Sequence, residues 1–318
     1  MGSLRRPWYP VVGNHDRNYE GVHDDTWTRI MSPEYYSFDY GPVHVLVLDD
    51  YPNYDPDPLR IDYAFGPDQM RYIEQDLKLI PPSKPVLLLM HISLNQVKEC
   101  REVCQLLEGR PVVFSVSGHA HNQSCFRLTP EQGWNSEFPH WHIILSAACG
   151  AWWMGARDEF GIPHALQGDG TPKGYLVIEF NKGQFHPRFK VSGRQDDFQM
   201  SLYAPSFVSA SFPEPVSFMV NAYLASREDT MEGRLDEGTW IPLVWEKGPD
   251  GFQVETLARE QAINSPLVQP ISATQDCDHR WVGTLPRDLS PGFHLLEIRH
   301  RNPWGDEHQA SQIIKVTE

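Results

Sequence analysis

Four histidines and an asparagine stand where they could do chemistry. Asn14 and His15 lie in Gly13-Asn14-His15-Asp16, His91 follows the apolar run Pro85 to Met90, and His119 and His121 lie in Ser117-Gly118-His119-Ala120-His121-Asn122. Imidazole nitrogens suit zinc, iron, manganese or nickel, and an asparagine carbonyl can join them. His119 and His121 are two apart, so in an extended chain their side chains leave on the same face. The glycines before each motif would let the backbone turn sharply and bring side chains to a shared centre. A lone histidine at a strand end is ordinarily structural. Four of them with an asparagine, all at strand ends, read as one metal-binding crevice.

The elements that must position these groups are strands. Val11-Val12, Leu87 to Met90 and Val112 to Val116 read as buried strands, each running into one of the motifs. In open α/β sheets, ligands bind outside the carboxyl ends of the strands, so the three segments are expected to converge. Tyr35 to Phe38 and Val43 to Leu48 bracket the turn Tyr40-Gly41-Pro42. Met70, Ile73 and Leu77 repeat at helical spacing behind Gly66-Pro67-Asp68. Ser93 and Gln96 match a capping box for a helix with the stripe Val97, Cys100, Cys104 and Leu107, which Gly109-Arg110-Pro111 ends. This alternation predicts an α/β fold, a layered sheet with flanking helices.

Past residue 196 the helical signal fades. Ser201 to Ala204, Val216 to Leu224, Thr239 to Trp245, Arg280 to Leu285, Phe293 to Arg299 and Ser311 to Val316 read as short strands between turn residues. They predict a small all-β, immunoglobulin-like sandwich. The expected division is 1–196 and 197–318, with a soft boundary near Arg194 to Asp197, because Gly174 to Phe180 and Phe185 to Val191 read as a hairpin of the first domain.

Composition narrows the partners. The chain has 318 residues and a net charge of −15, with acid in excess on both sides of residue 196. No Lys/Arg stripe offers a nucleic-acid surface. An anionic substrate would need local positive charge, for which bound metal ions are the source. Five cysteines at irregular spacing make neither a disulfide framework nor a zinc-type pair, and Cys100 and Cys104 read as buried small hydrophobes. The longest apolar runs fall far short of the ~18 residues of a membrane span, and no apolar segment of a signal peptide follows Arg5 and Arg6. Localisation is not legible. Asp49 and Asp50 read as the end of a strand, and His23, Asp24 and Asp25 as a solvated loop. Trp152 and Trp153 read equally as a substrate wall or as interface packing.

Taken in order, Gly13-Asn14-His15-Asp16, His91 after its strand and Gly118-His119-Ala120-His121 resemble the motifs of calcineurin-like metallophosphoesterases. Between the motifs, Tyr35 to Gly41 with its following strand and the Gln69 helix agree with the family, and Trp152-Trp153, Asp169 to Tyr175 and the last hairpin, Gly292 to Val316, resemble the C-terminal region of a bacterial subgroup. The resemblance implies hydrolysis of a phosphomonoester or phosphodiester by metal-activated water. Matched to the motifs, Asn14, His91 and His119 would bind the second metal and His121 the first. His15 would contact the phosphoryl oxygens and assist the leaving group, and Asp16 would orient its imidazole. The ions would be Mn, Zn or Fe, two in the family and a single one here.

The family pattern also includes Asp-x-His and Gly-Asp segments upstream of Gly-Asn-His-Asp, and the 12 residues before Gly13 contain neither Asp nor His. The expectation is therefore a phosphoesterase domain short of about two strand–helix units, with self-association through an exposed sheet edge. Family members of this build are often exported, and the resemblance leaves localisation open here. The competing expectation is an inactive, truncated homologue acting as a binding module through its β-sandwich.

Overall fold

The computed structural model describes residues 6–17, 25–31, 33–51, 62–212, 214–263 and 268–318. The polar loop at His23-Asp24, the side chain of Asp25 and the Pro-rich stretch at 52–58 lie outside the described residues. The fold is mixed α/β with several sheets, mostly strands and few helices. It divides into two compact units: Met1–Ala120 with Phe126–Ile144 and Glu179–Phe185, and His121–Cys125 with Leu145–Ile178 and His186–Glu318.

In the first unit, the strands β1 (Tyr36–Tyr40), β2 (Val43–Val47), β3 (Val86–Leu89), β4 (Val113–Ser117), β5 (Ser124–Arg127) and β6 (His140–Ile144) form a sheet of order β1-β2-β3-β4-β6-β5. β1 and β2 are an antiparallel hairpin turning at Gly41, which takes a φ of +56°. β2, β3, β4 and β6 run parallel, as their unbroken apolar runs require of strands covered on both faces. The helices are α1 (Asp25–Ile30), α2 (Gly66–Lys78), which has proline in its first turn, and α3 (Cys100–Leu107). Ile73 and Leu77 of α2 and Cys100, Val103, Cys104 and Leu107 of α3 join one buried core with Leu46, Leu88 and Val113. Both cysteines are thus core residues, free and buried.

Two expectations about this unit change. Val11-Val12 is not in a strand. Pro7 and Pro10 bring no N–H to a ladder. The segment is tied instead by Tyr9 stacked on Phe38 (centroids 3.7 Å apart) and by the Tyr36 hydroxyl, which donates to Pro10 O at 2.7 Å. Ser93 does not cap α3. It precedes a 3-10 turn, Leu94–Gln96, and its hydroxyl lies 3.0 Å from His142 Nε2.

Two strands, β7 (Gly174–Asn181) and β8 (Gln184–Val191), form the expected hairpin. In the second unit follow β9 (Met200–Tyr203), β10 (Phe207–Ser209), β11 (Ser217–Ala222), β12 (Thr230–Leu235), β13 (Ile241–Pro242), β14 (Val244–Trp245), β15 (Gly248–Pro249), β16 (Asp276–Cys277), β17 (Arg280–Thr284), β18 (Gly292–Arg301) and β19 (Glu307–Thr317). One sheet has the order β10-β19-β18-β12-β13 and another β14-β17-β11-β9. Leu296, Ile298 and Ile314 of the first share a buried cluster with Met200, Phe218, Val220 and Trp281 of the second, which fits a sandwich.

This unit also holds a helix that periodicity misses, α4 (Gly251–Ile263). Its buried residues are Gln253, Thr256 and Glu260, whereas Phe252, Val254 and Ile263 are exposed. The buried face is polar and fully engaged. Gln253 Nε2 donates to Ser272 O at 2.9 Å, and the Glu260 carboxylate accepts from Ala156 N–H at 2.7 Å and Ile271 N–H at 2.8 Å.

Candidate metal centre

Gly13-Asn14-His15-Asp16 folds as a 3-10 turn over Asn14–Asp16. Asp16 N–H donates to Gly13 O at 3.1 Å, and Asp16 Oδ2 accepts from Gly13 N–H at 2.9 Å. That carboxylate oxygen therefore closes the turn itself, a role the sequence reading had not given it. Arg17, which the motif reading also passed over, anchors the turn from behind. Its guanidinium donates to Asp49 Oδ2 at 2.5 Å and to Glu34 Oε1 at 3.0 Å. Burial alone would lower the Arg17 pKa, but the two carboxylates raise it. Its place directly after the motif was the available signal.

Asn14, His91 and His119 come together. His91 Nε2 lies 2.9 Å from Asn14 Oδ1 and 3.0 Å from His119 Nδ1. The His91 and His119 rings meet edge-on at 4.8 Å, with the Tyr63 ring 6.1 Å from His119. An Nε2–H on His91 would be shared between the Asn14 oxygen and His119 Nδ1, whereas an unprotonated Nε2 would present its lone pair beside the other two donor atoms, as a cation requires. Donor atoms bound to one ion at roughly 2.0–2.1 Å sit about 2.9–3.4 Å from one another in octahedral or tetrahedral arrangements. The separations of His91 Nε2 from Asn14 Oδ1 and from His119 Nδ1, 2.9 and 3.0 Å, match that spacing.

Gly13 makes the approach possible. A Cβ on Gly13 would lie 2.9 Å from both Cε1 and Nδ1 of the His91 ring, so the position needs glycine for space. Gly118 is different, since a Cβ there would meet nothing within 4 Å. The turning at the second motif is done by the histidines. His119 has a φ of +66° and His121 a φ of +50°, the left-handed region that costs a non-glycine residue about 1–3 kcal/mol. The extended, same-face arrangement expected of the pair is thus overturned, because β4 ends at Ser117 and the chain turns immediately.

His121 belongs to the second unit, where its Nδ1 meets Ala151 O and its ring lies 4.9 Å from that of Trp152. Nδ1–H donation to a carbonyl leaves the lone pair on Nε2, the state of a metal-ligating histidine. Trp152 and Trp153 are both exposed. His15 is exposed on its turn. Among the described residues, no group of three or more His, Cys, Asp or Glu side chains is placed to hold a metal ion.

Asp49 and Asp50 do end a strand, directly after β2. Asp49 is held by Arg17 and accepts from Tyr51 N–H at 3.2 Å. Asp50 is fully buried, and burial holds its carboxyl well above the usual range. Its Oδ2 accepts from Ile92 N–H at 2.7 Å while its Oδ1 has no partner.

The family profile described as "C terminal of Calcineurin-like phosphoesterase" matches residues 142–308, more than half of the chain. The chain belongs to the calcineurin-like metallophosphoesterase family. The matched span lies wholly after Asn14, His91, His119 and His121, so it stands independently of the motifs that first carried the resemblance. No curated protein matches the chain. Among the described residues, no helix is long and apolar enough to cross a membrane.

Proposed function

We propose that this chain hydrolyses a phosphate ester, monoester or diester, with a divalent metal ion (Mn, Zn or Fe) held by Asn14, His91 and His119. The observation that carries the reading is the convergence of their donor atoms, within 3.0 Å of His91 Nε2. Such an ion, when bound, polarises the phosphoryl oxygens and sharpens water as a nucleophile. The protein's own residues do the rest. Gly13 leaves room for the His91 ring, the Asp16 carboxylate fixes the turn, and Arg17 ties that turn to Asp49. His15, on the exposed side of the turn, is assigned to the phosphoryl group, where its imidazolium gives a proton to the departing oxygen. His121, with Nδ1 on Ala151 O, keeps the place its motif implies, at the family's first metal. We also read residues 1–196 as a layered phosphoesterase domain and residues 197–318 as an immunoglobulin-like sandwich.

The test is hydrolysis of p-nitrophenyl phosphate together with metal content, measured on the whole chain. His91→Ala is expected to remove bound metal and to lower kcat/KM by more than the ~10–100-fold typical of losing an outer-shell partner. A metal-free chain that hydrolyses no phosphoester overturns the proposal. It would favour the second reading, an inactive relative acting as a binding module, which draws on the absence of a three-residue His/Cys/Asp/Glu cluster among the described residues.

A further inference from the structure

The second unit contains a cavity of about 580 Å³ that owes nothing to the histidine motifs. Protein interiors are close-packed and hold few voids larger than a water molecule, whereas small-molecule sites typically enclose ~300–1,000 Å³. The floor is made by Leu166, Val191, Met200 and Tyr223, all buried, with Lys173 beside them. The mouth carries the rings of Phe160 and Phe252, both exposed, and of Phe198, with Gln309, Ser311 and Asp197 between them.

What the floor cannot do is as informative as its shape. Lys173 has three N–H donors, and its ammonium has three acceptors: Asp158 Oδ2 at 3.0 Å, Pro163 O at 2.8 Å and His164 O at 3.3 Å. The Tyr223 hydroxyl is hydrogen-bonded with Ser201. Lys173 and Tyr223 of the floor already have partners inside the protein, so a ligand entering it meets mostly apolar surface. Hydroxyl-rich groups would lose water there without replacement.

The charges point the same way. Lys173 is paired with Asp158, and Arg194 with Glu159. The Arg194 guanidinium also lies over Phe160, at 5.3 Å, and over Phe198, at 5.4 Å. Both cations at the cavity thus have their own carboxylates, and Asp197 adds a further acid at the mouth. Among the described lining residues both Lys173 and Arg194 are paired with carboxylates, which leaves His164 as the remaining basic side chain and makes the cavity a poor match for a phosphate. Three aromatic rings and an apolar floor instead suit a flat apolar body, and the polar residues at the mouth suit a hydrogen-bonding edge.

We propose that this cavity is a binding site for an uncharged small molecule with an apolar, ring-bearing body, inserted floor-first, and a polar edge left at the mouth. The site shares no residue with the candidate metal centre, and it stands or falls independently of phosphoesterase activity.

The full chain is titrated with N-phenylnaphthylamine, a neutral apolar fluorophore, and with anilinonaphthalene sulfonate, a comparable anion. The neutral probe is expected to bind saturably, one per chain, and the anion about tenfold more weakly or worse. Ala310→Trp, which fills the half-buried wall, is expected to weaken the neutral probe by about tenfold, and the double variant Phe160→Ala, Phe252→Ala by about threefold or more. Phe293→Ala, on an exposed position of β18 away from the cavity, is expected to change nothing. Absence of saturable binding overturns the proposal, as does equal or tighter binding of the anion. If Ala310→Trp does not fold, the mouth variant decides: both residues are exposed, and an unchanged Kd there overturns the site.

Discussion

The most deeply buried histidines of the two units sit in opposite chemistry. In the first, His140 and His142 of β6 are fully buried against hydroxyls: Ser115 Oγ lies 2.9 Å from His140 Nε2 and 2.7 Å from His142 Nδ1, and Ser117 Oγ lies 3.0 Å from His142 Nε2. In the second, His279 is just as buried but lies between Cys277 Sγ, 3.3 Å from Nδ1, and Asp169 Oδ2, 3.2 Å from Nε2. Burial pushes His140 and His142 down to about 3. Burial opposes the proton on His279 as well, yet Cys277 and the Asp169 carboxylate outweigh it and hold this imidazole well above its ordinary value. A hydroxyl cannot hold a proton on a dry imidazole, and a carboxylate can. Partner type, rather than burial, decides the charge.

The largest test of that contrast is pH. Between about pH 6.5 and pH 3, unfolded chains protonate His140 and His142 while the folded protein does not, so the unfolded state binds more protons. Stability contributed by the pair is complete above about pH 6.5 and declines as pH falls, by up to ~1.4 kcal/mol per pH unit for each histidine. His279 has the opposite sign: its contribution is present below about pH 6.5 and is lost as pH rises through its raised pKa. Urea unfolding of the wild type against His140→Gln, His142→Gln should show the acid-side slope shrink in the variant. An equal slope in both would mean that Ser115 and Ser117 do stabilise a charged imidazole.

A smaller effect probes the other half. Asp169 is a hub, accepting from Gln123 N–H at 2.7 Å and Thr171 N–H at 2.9 Å as well as facing His279. Asp169→Asn leaves a buried imidazolium without its carboxylate, and removing one partner of a buried ion pair costs about 3–5 kcal/mol. The expected outcome is a loss of that order by urea unfolding, with the His279 ring titrating at lower pH by NMR. A change below about 1 kcal/mol with an unmoved titration would show that Cys277 alone holds the proton.

How much of this was legible in the sequence follows from which forces act locally. The parallel strands, α2 and α3 were readable because apolar residues at strand or helix spacing became the core of the first unit. The meeting of Asn14, His91 and His119 was readable from motif position, although no strand delivers Asn14. Helix α4 was invisible to periodicity because it buries Gln253, Thr256 and Glu260. Its one local mark is Asp250, whose carboxylate accepts from Gln253 N–H at 2.7 Å, a cap followed by glutamine three residues on. The place of His121 was hidden for another reason: spacing implies a face only if the backbone is extended, and here it is left-handed.

The finest test separates two glycines that look alike in sequence. Gly13 and Gly118 each precede a metal-type motif, and a sequence reading gives both the same task. In the structure only Gly13 is pressed, since a Cβ there would lie 2.9 Å from the His91 ring, while Gly118 faces open space and lacks the positive φ that favours glycine. Gly13→Ala must displace the His91 imidazole from its place beside Asn14 and His119. Metal affinity or kcat/KM is expected to fall about tenfold or more, equivalent to ~1.4 kcal/mol. Gly118→Ala should stay within about 0.5 kcal/mol of wild type. Metal titration of the two variants side by side decides the matter. Equal losses would mean that backbone freedom is what both glycines supply, and that the space before His91 is incidental.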